Sequence, residues 1–272
     1  MNTLNLKIDK DKCIKCAKCT NDCITSAIKQ GDDGYPVEIN PAYCISCQHC
    51  LMVCPVGALS IFDKDPSNSS KIENKVKEED LFNLIQSRRS IRKFKDENVS
   101  KEDLNKLKQM LNYTPTGCNR RGLYFSFIED RDVMEKFRNN VNKKMIKVLS
   151  NPFLSPFLSR YKNLLAPIKE GQDVIFRSCP HLVALSVSKD SPCRDIDPII
   201  ALSYFELYAY SLNIGTCWCG FAQGVLSKIP SLQKALNIPK THKLSYVMLF
   251  GYPDIKYQRT QQPKPYTFYT VK

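Results

Sequence analysis

No stretch of this 272-residue chain approaches the roughly 20 consecutive apolar residues that span a bilayer, so no membrane anchor is expected. The opening MNTLNLKIDK holds no apolar run ending at a small-residue cleavage site; it reads as an edge strand, and a soluble, cytoplasmic protein is the expectation. A Gly-x-Gly-x-x-Gly dinucleotide fingerprint is also missing. Acidic residues are scarce, 27 against 40 basic ones, for a formal charge of +13. Such an excess can attract nucleic acid, but lysine-rich solvated helix faces are the commoner cause, and no nucleic-acid partner is expected. Hydrophobic residues at 43% allow a normal core, and the length suits a small module joined to a larger one.

Cysteine is what the chain has in excess. Thirteen of them, with no export signal, point to metal or redox chemistry rather than a disulfide framework. Eight fall within the first 54 residues, and the other five are scattered from Cys118 to Cys219.

Residues 4–62 contain two similar passages of four close cysteines, joined by the turn-rich GDDGYPVEINPAY, which reads as an internal duplication. The stretch 63–79, DKDPSNSSKIENKVKEE, is polar and charged like a linker, and divides the chain into domains 1–62 and 80–272. Beyond it, Asp80 is a candidate cap for a helix carrying Leu81, Leu84 and Ile85, and Ser100 with Asp103 forms a capping box before Leu104, Leu107 and Leu111. Residues 123–129, 182–188 and 244–252 read as strands, separated by helical patterns around 130–148 and 197–213. The fold class expected is α+β. The 197–213 helix is apolar nearly all round and is expected to be buried, ending at Asn213 and Gly215. The aromatic tail from Pro253 onward has no periodicity and suits contact with a partner subunit.

The first cysteine passage runs Cys13-x2-Cys16-x2-Cys19-x3-Cys23 and the second Cys44-x2-Cys47-x2-Cys50-x3-Cys54-Pro55. Two-residue gaps turn three sulfurs of one loop toward one four-iron cluster, with the fourth thiolate coming from elsewhere. The spacing resembles the bacterial ferredoxin run, in which the fourth cysteine serves the other cluster; that resemblance implies Cys13, Cys16, Cys19 and Cys54 at one [4Fe–4S] cluster and Cys44, Cys47, Cys50 and Cys23 at a second. Zinc sites usually place one cysteine pair, a long gap and a second pair, so three cysteines in close succession, twice over, favour clusters. His49, between two ligands, reads as solvent-facing or supporting. The passages resemble bacterial-type ferredoxin domains with two four-iron clusters, which implies transfer of single electrons at low potential.

In the second domain, Arg88-Arg89-Ser90-Ile91-Arg92-Lys93-Phe94 follows a helix, and clustered guanidinium groups with a hydroxyl suit a phosphate. Later come Thr114-Pro115-Thr116-Gly117-Cys118-Asn119 before a strand, Asn213-Ile214-Gly215-Thr216-Cys217-Trp218-Cys219-Gly220-Phe221 after the long helix, and Gly251-Tyr252-Pro253 at a strand end. These four passages, in this order, resemble the nitroreductase family of FMN enzymes over about residues 80–260. The resemblance implies a nitroreductase-like α/β domain in which Arg88, Arg89, Ser90 and Arg92 hold the FMN phosphate, with Lys256 or Arg259 completing that site. It further implies that Asn119 lies near the flavin with Pro115 and Thr116 beside it. Cys217, Trp218, Cys219 and Gly220 would lie along the ring, with the Cys219 N–H reaching the flavin N5. Arg120-Arg121-Gly122 departs from the glutamine and proline that often follow the loop asparagine, which weakens inference about the substrate. Cys118, Cys179, Cys193, Cys217 and Cys219 are read as packing residues, and His181 as a satisfied packing histidine.

Two clusters at about −2 each and a phosphate at about −2 bring the holoprotein to roughly +7. The expected function is an iron–sulfur flavin oxidoreductase and homodimer, fed by an external donor such as reduced ferredoxin, flavodoxin or NAD(P)H. Electrons from a low-potential donor would pass through the two clusters to FMN and then to a small-molecule acceptor such as a nitroaromatic, a quinone or an activated alkene, by flavin chemistry that needs no catalytic side chain. The alternatives are an NAD(P)H-fed flavin reductase and a non-catalytic electron carrier or redox sensor.

Overall fold

Seven consecutive buried residues, from His181 to Val187, form the middle of the larger sheet, as valine, leucine and alanine do when both faces of a strand are covered. This computed structural model describes residues 4–73, 75–151, 153, 161 and 163–271. The chain divides into two compact units, Met1–Lys75 with Cys118–Arg120, and Val76–Gly117 with Arg121–Lys272.

The first unit has little regular structure. Strand β1 (Lys7–Ile8), helix α1 (Lys18–Asn21), strands β2 (Ile28–Gln30) and β3 (Pro36–Glu38), helix α2 (His49–Met52) and strand β4 (Leu59–Ser60) follow in order. β1 pairs with β4 and β2 with β3, both antiparallel. Leu4, Ile28, Cys50, Leu51, Leu59 and Ile61 form the core between them.

In the second unit, α3 (Glu78–Ser87) and α4 (Lys101–Leu111) precede β5 (Leu123–Ile128), α5 (Arg131–Leu149) and α6 (Leu165–Lys169). Next come β6 (His181–Ser188), α7 (Asp197–Ser211), β7 (Gly215–Trp218), α8 (Gly220–Lys228), α9 (Pro230–Ala235) and β8 (His242–Gly251). The sheet order is β5-β6-β8-β7, antiparallel throughout. Side chains alternate across a strand. Leu182 and Ala184 therefore enter a core with Met134 and Val141 of α5 and Val225 of α8, while Val183 and Leu185 enter a second core with Leu107 of α4 and Phe205 of α7.

The local chemistry explains most of these boundaries. Ser100 caps α4 by accepting the Asp103 N–H at 3.0 Å, and its hydroxyl donates to the Asp103 carboxylate, with Leu104, Leu107 and Leu111 buried behind. The cap expected at Asp80 is displaced: Lys77 occupies that position, and Asp80 joins Glu78 and Glu79 in the first turn, where carboxylates favour the helix dipole. α7 ends in a Schellman turn: Asn213 takes φ 59°, and the Ile214 and Asn213 N–H groups donate to the Ala209 and Tyr210 carbonyls. Within the single chain one face of this helix is buried. Ala201, Leu202, Phe205 and Ala209 are buried, whereas Ile196 before the helix and Ile199 and Tyr204 within it are exposed. β7 was not anticipated as a strand, because Gly-Thr-Cys-Trp directly after a helix stop is too short to show alternation. Among the described residues, no helix is long and apolar enough to cross a membrane.

Candidate cofactor sites

The eight N-terminal thiols separate into two sets. One cavity is lined by Cys13, Cys16, Cys19 and Cys54, with Ile8, Ile14 and Leu59; another by Cys23, Cys44, Cys47 and Cys50, with Ile28 and Ile61. Each cavity takes three sulfurs from one passage and the fourth from the other. Among the described residues no three His, Cys, Asp or Glu side chains converge as a single ion requires; the thiols surround volumes instead. Four thiols around a mostly apolar space fit a four-iron cluster, whose sulfide faces need no further polar partner. Burial pushes the Cys50 thiol up to about 11, so iron has to displace its proton on binding. His49 is exposed, with Nδ1 3.1 Å from the Asp22 carboxylate.

The duplication is visible in the backbone. Lys15 and Ala17 flank Cys16 at φ 57° and 56°, and Ser46 and Gln48 flank Cys47 at φ 55° and 61°. Three residues after Cys23 and Cys54, Ser26 and Gly57 take φ 51° and 61°. A left-handed residue on each side of the middle cysteine reverses the chain twice within seven residues, which turns successive sulfurs inward. Non-glycine residues hold this conformation at an energetic disadvantage, so the ligand loops are strained where they serve the clusters.

In the second unit, Ser90–Lys95 forms a strap across the ends of two strands. Ser90 bridges Thr216 at the start of β7, where the Ile91 N–H donates to the Thr216 carbonyl at 2.8 Å. Phe94 bridges Pro253 just past β8, with Lys95 N–H on the Tyr252 carbonyl and Asp254 N–H on that of Lys93. Gly215 and Gly251 are paired opposite each other in those strands. A Cβ on Gly215 would come within 2.5 Å of Ile91, so the close approach of the strap requires that glycine; one on Gly251 would meet Pro180 at 2.8 Å and the strap's Phe94 at 3.3 Å.

The sequence-predicted phosphate residues lie on or just before this strap. Arg92 is exposed. Arg89 donates to the Gln261 side chain at 2.7 Å, and Arg88 is ion-paired with Glu206 of α7 at 2.9 Å. Lys256 and Arg259 are exposed and show no ion pair among the described residues. Of the loop residues, Pro115 is exposed, and Thr116 accepts the Arg121 N–H at 3.0 Å. Asn119 departs from expectation. It belongs to the first unit, where its amide donates to the carbonyls of Ile45 at 3.0 Å and Ser46 at 2.8 Å, between two cluster-site cysteines; both amide hydrogens are thus committed there rather than to a flavin.

The ring-contacting segment also needs one correction. The Cys219 N–H donates to the Val247 carbonyl at 2.9 Å as an extension of the sheet, so it is not a donor to flavin N5. α8 begins at the next residue, and the first-turn N–H groups of a helix have no intrahelical acceptor, which leaves Gly220, exposed, as the better-placed donor. Cys219 instead caps α8, its sulfur accepting the Ala222 N–H and its thiol donating to the Ile175 carbonyl, and burial pushes that thiol up to about 11. Trp218 packs edge-on against Tyr246 with ring centroids 5.1 Å apart.

Two functional candidates escaped the sequence reading. Burial raises the Cys217 thiol, while the positive charges of Arg92 and then Arg177 pull against that rise. Arg177 is exposed at φ 55° in a turn that Asp173 ties down by accepting the Phe176 and Ser178 N–H groups and pairing with Arg138 at 2.8 Å. Glu206 is the other. A single carboxylate well inside an apolar helix was the available signal, overshadowed by the hydrophobic pattern around it. Of the packing cysteines, Cys179 is buried as expected, whereas Cys118 is exposed.

The residues of the strap and the Arg88-Arg89 pair before it, the arginine turn and the N-terminus of α8 offer the kinds of donor a flavin mononucleotide takes: guanidinium and hydroxyl groups for phosphate, backbone N–H for the ring. Comparison with known proteins agrees with this geometry. The Nitroreductase family matches residues 85–252, and a 4Fe-4S dicluster domain matches residues 6–61. A Methanothermobacter thermautotrophicus protein provisionally named NADH dehydrogenase/NAD(P)H nitroreductase is 26% identical over 189 residues, 67% of this chain and 82% of that protein. The pyruvate synthase subunit PorD of Methanocaldococcus jannaschii is 36% identical over 53 residues, 20% of this chain and 60% of that protein. A Bacteroides fragilis nitroreductase crystallised with FMN shares the fold at 19% identity and TM-score 0.59, covering 72% of this chain and all of that one. The chain belongs to the nitroreductase family, as an FMN-dependent oxidoreductase that carries a two-cluster [4Fe–4S] domain.

Proposed function

We propose that this iron–sulfur flavin oxidoreductase takes single electrons from an external low-potential donor, reduced ferredoxin or flavodoxin, and delivers them in pairs to a small organic acceptor. Nitroaromatics, quinones and activated alkenes are the acceptor class. The observation that supports this reading is the presence, in one chain, of two four-thiol cavities and a basic strap preceded by Arg88 and Arg89. Cys13, Cys16, Cys19 and Cys54 hold one cluster, and Cys23, Cys44, Cys47 and Cys50 the other. Arg88, Arg89, Ser90 and Arg92 hold the FMN phosphate, and Gly220 donates to the ring. When bound, the flavin supplies the conversion between one-electron and two-electron transfer. The chain's own residues bind and orient the cofactors and exclude water; no side-chain acid or base is assigned. Residues 63–79 are the connecting stretch.

A homodimer completes the proposal. The exposed apolar face of α7, the tail aromatics Tyr266, Phe268 and Tyr269, and the open edge of β5 are all unpartnered. The exposed apolar face of α7 and the tail aromatics are surfaces of the kind that mark protein contacts.

The name of the Methanothermobacter relative favours a second reading, in which NAD(P)H is the donor. Anaerobic stopped-flow mixing of the holoprotein with reduced ferredoxin, NADH or NADPH separates the two. Cluster bleaching followed by flavin bleaching with ferredoxin supports the proposal; direct flavin bleaching by NAD(P)H, with slow or no response to ferredoxin, overturns it. An anaerobic count of about eight irons and one FMN per chain is the first requirement.

A further inference from the structure

Helix α7 carries two acidic residues: Asp197 in its first turn and Glu206, 7% exposed, well inside it. A carboxylate buried in an apolar helix is expensive unless its charge is matched. Here Glu206 Oε1 accepts from Arg88 Nη1 at 2.9 Å and from Thr216 Oγ1 at 3.3 Å. Both donors stand at the N-terminal end of the strap, Arg88 two residues before Ser90 and Thr216 across from it in β7. Arg88 is the residue at which α3 stops, and Thr216 receives the strap's backbone through Ile91 N–H and its bridge to Ser90. Thr216 is itself 2% exposed, and the Arg88 side chain is largely buried.

A guanidinium has five N–H donors in a rigid fork. With one edge fixed by Glu206, Arg88 loses its rotational freedom while the remaining donors stay available to an anion. The neutralised pair also keeps an uncompensated charge out of the core. Glu206 thus does for Arg88 what an ordering carboxylate does for a ligand histidine, setting orientation one step removed from the bound group.

We infer that Glu206 is a positioning residue for the FMN phosphate, acting through Arg88 and Thr216 and touching no part of the cofactor. The inference rests on the assignment of Arg88 to that phosphate. It separates two kinds of ligand, because riboflavin has the same ring and ribityl chain but no phosphate.

The test uses full-length, cluster-loaded protein stripped of flavin, with binding followed anaerobically by quenching of flavin fluorescence. Glu206→Gln, which keeps an oxygen acceptor for Thr216 but removes the charge, is expected to weaken FMN about tenfold and leave riboflavin within about twofold. Arg88→Met is expected to weaken FMN by at least as much, and in that background Glu206→Gln has no further effect on the FMN-to-riboflavin ratio. Inorganic phosphate should compete with FMN in the unmodified protein and lose that ability in Glu206→Gln. Equal weakening of FMN and riboflavin by Glu206→Gln would make Glu206 merely structural and overturn the inference, as would unchanged FMN affinity. If Arg88→Met leaves FMN binding intact, it is the phosphate assignment that fails. Where removing one member of the buried pair unfolds the unit, the double variant Glu206→Leu/Arg88→Met keeps the question answerable, since it removes both charges and should still discriminate poorly against riboflavin.

Discussion

Residues 1–62 contain six lysines against five aspartates and one glutamate, whereas the 34 basic and 21 acidic residues that follow carry the entire formal charge of +13. Two clusters at about −2 each make the first region acidic, so the basic excess is confined to the part that binds a phosphate and carries long solvated helices. The backbones differ in the same way. Among the described residues, eight non-glycine residues from Asn5 to Asp63 have positive φ, whereas the larger second unit has five, from Arg121 to Asn237. The cores differ too: one cluster of six buried residues in the first unit, and two extensive clusters on either face of a sheet in the second. A unit this small and this strained depends on its cofactors for stability, while the other stands on apolar burial.

The largest effect expected from this contrast is on iron removal. Anaerobic chelation should unfold the first unit, which limited proteolysis would detect as rapid cleavage within residues 1–75, and leave the second unit's thermal transition in place. Survival of a protease-resistant first unit without iron would show that its six-residue core suffices. Leu107→Ala probes the opposite unit. Leu107 is fully buried against the sheet, and its truncation should cost about 2–5 kcal/mol in the second transition alone.

A pH experiment sharpens the comparison further, because the second unit buries a histidine. His181 Nε2 accepts the Val99 N–H at 2.9 Å, its ring stacks on Phe250, and its Nδ1 has no hydrogen-bond partner. Burial lowers its pKa from the ordinary 6.5 to about 4. The unfolded chain therefore binds a proton that the folded one refuses between pH 6.5 and 4, so this stability is complete above 6.5 and falls as the pH drops toward 4. The loss reaches about 3 kcal/mol at most. His181→Gln, which retains an acceptor for Val99, should flatten that slope in the second transition; an unchanged slope would place the acid sensitivity elsewhere.

How much of this was legible in the sequence follows from the same contrast. Cysteine spacing carries the first unit because ligand geometry, not apolar periodicity, organises it, and the crossover that its ferredoxin resemblance implies coincides with the two cavity linings. The strap was legible as a basic run, but its anchorage was not. Gly215 opposite Gly251, and Glu206 beneath Arg88, are contacts between residues far apart in the chain, and neither leaves a local pattern. The amide bonds of Asn119 were hidden for a related reason: the segments on either side, up to Gly117 and from Arg121, belong to the second unit, but Cys118–Arg120 and these hydrogen bonds lie in the first. The Cys219 N–H was lost to the flavin because β7, which it extends, was too short to be read.

The smallest expected effects concern how helices begin. α4, α5 and α8 are capped by the side chains of Ser100, Asp130 and Cys219, whereas α1 and α2 follow the left-handed residues Ala17 and Gln48 with no side-chain cap. Ser100→Ala should lower the second unit's stability by about 1 kcal/mol, read as a shift of its thermal midpoint. Ala17→Gly should have the opposite sign in the first unit, since glycine adopts φ 56° without the clash that alanine's Cβ meets, a gain of about 1 kcal/mol partly offset by the freer unfolded chain. The two changes are similar in size and differ only in which rule each unit obeys. If Ala17→Gly destabilised the cluster-loaded first unit, the alanine methyl would be packing against the cluster cavity it lines, and strain would not be the term that governs the ligand loop.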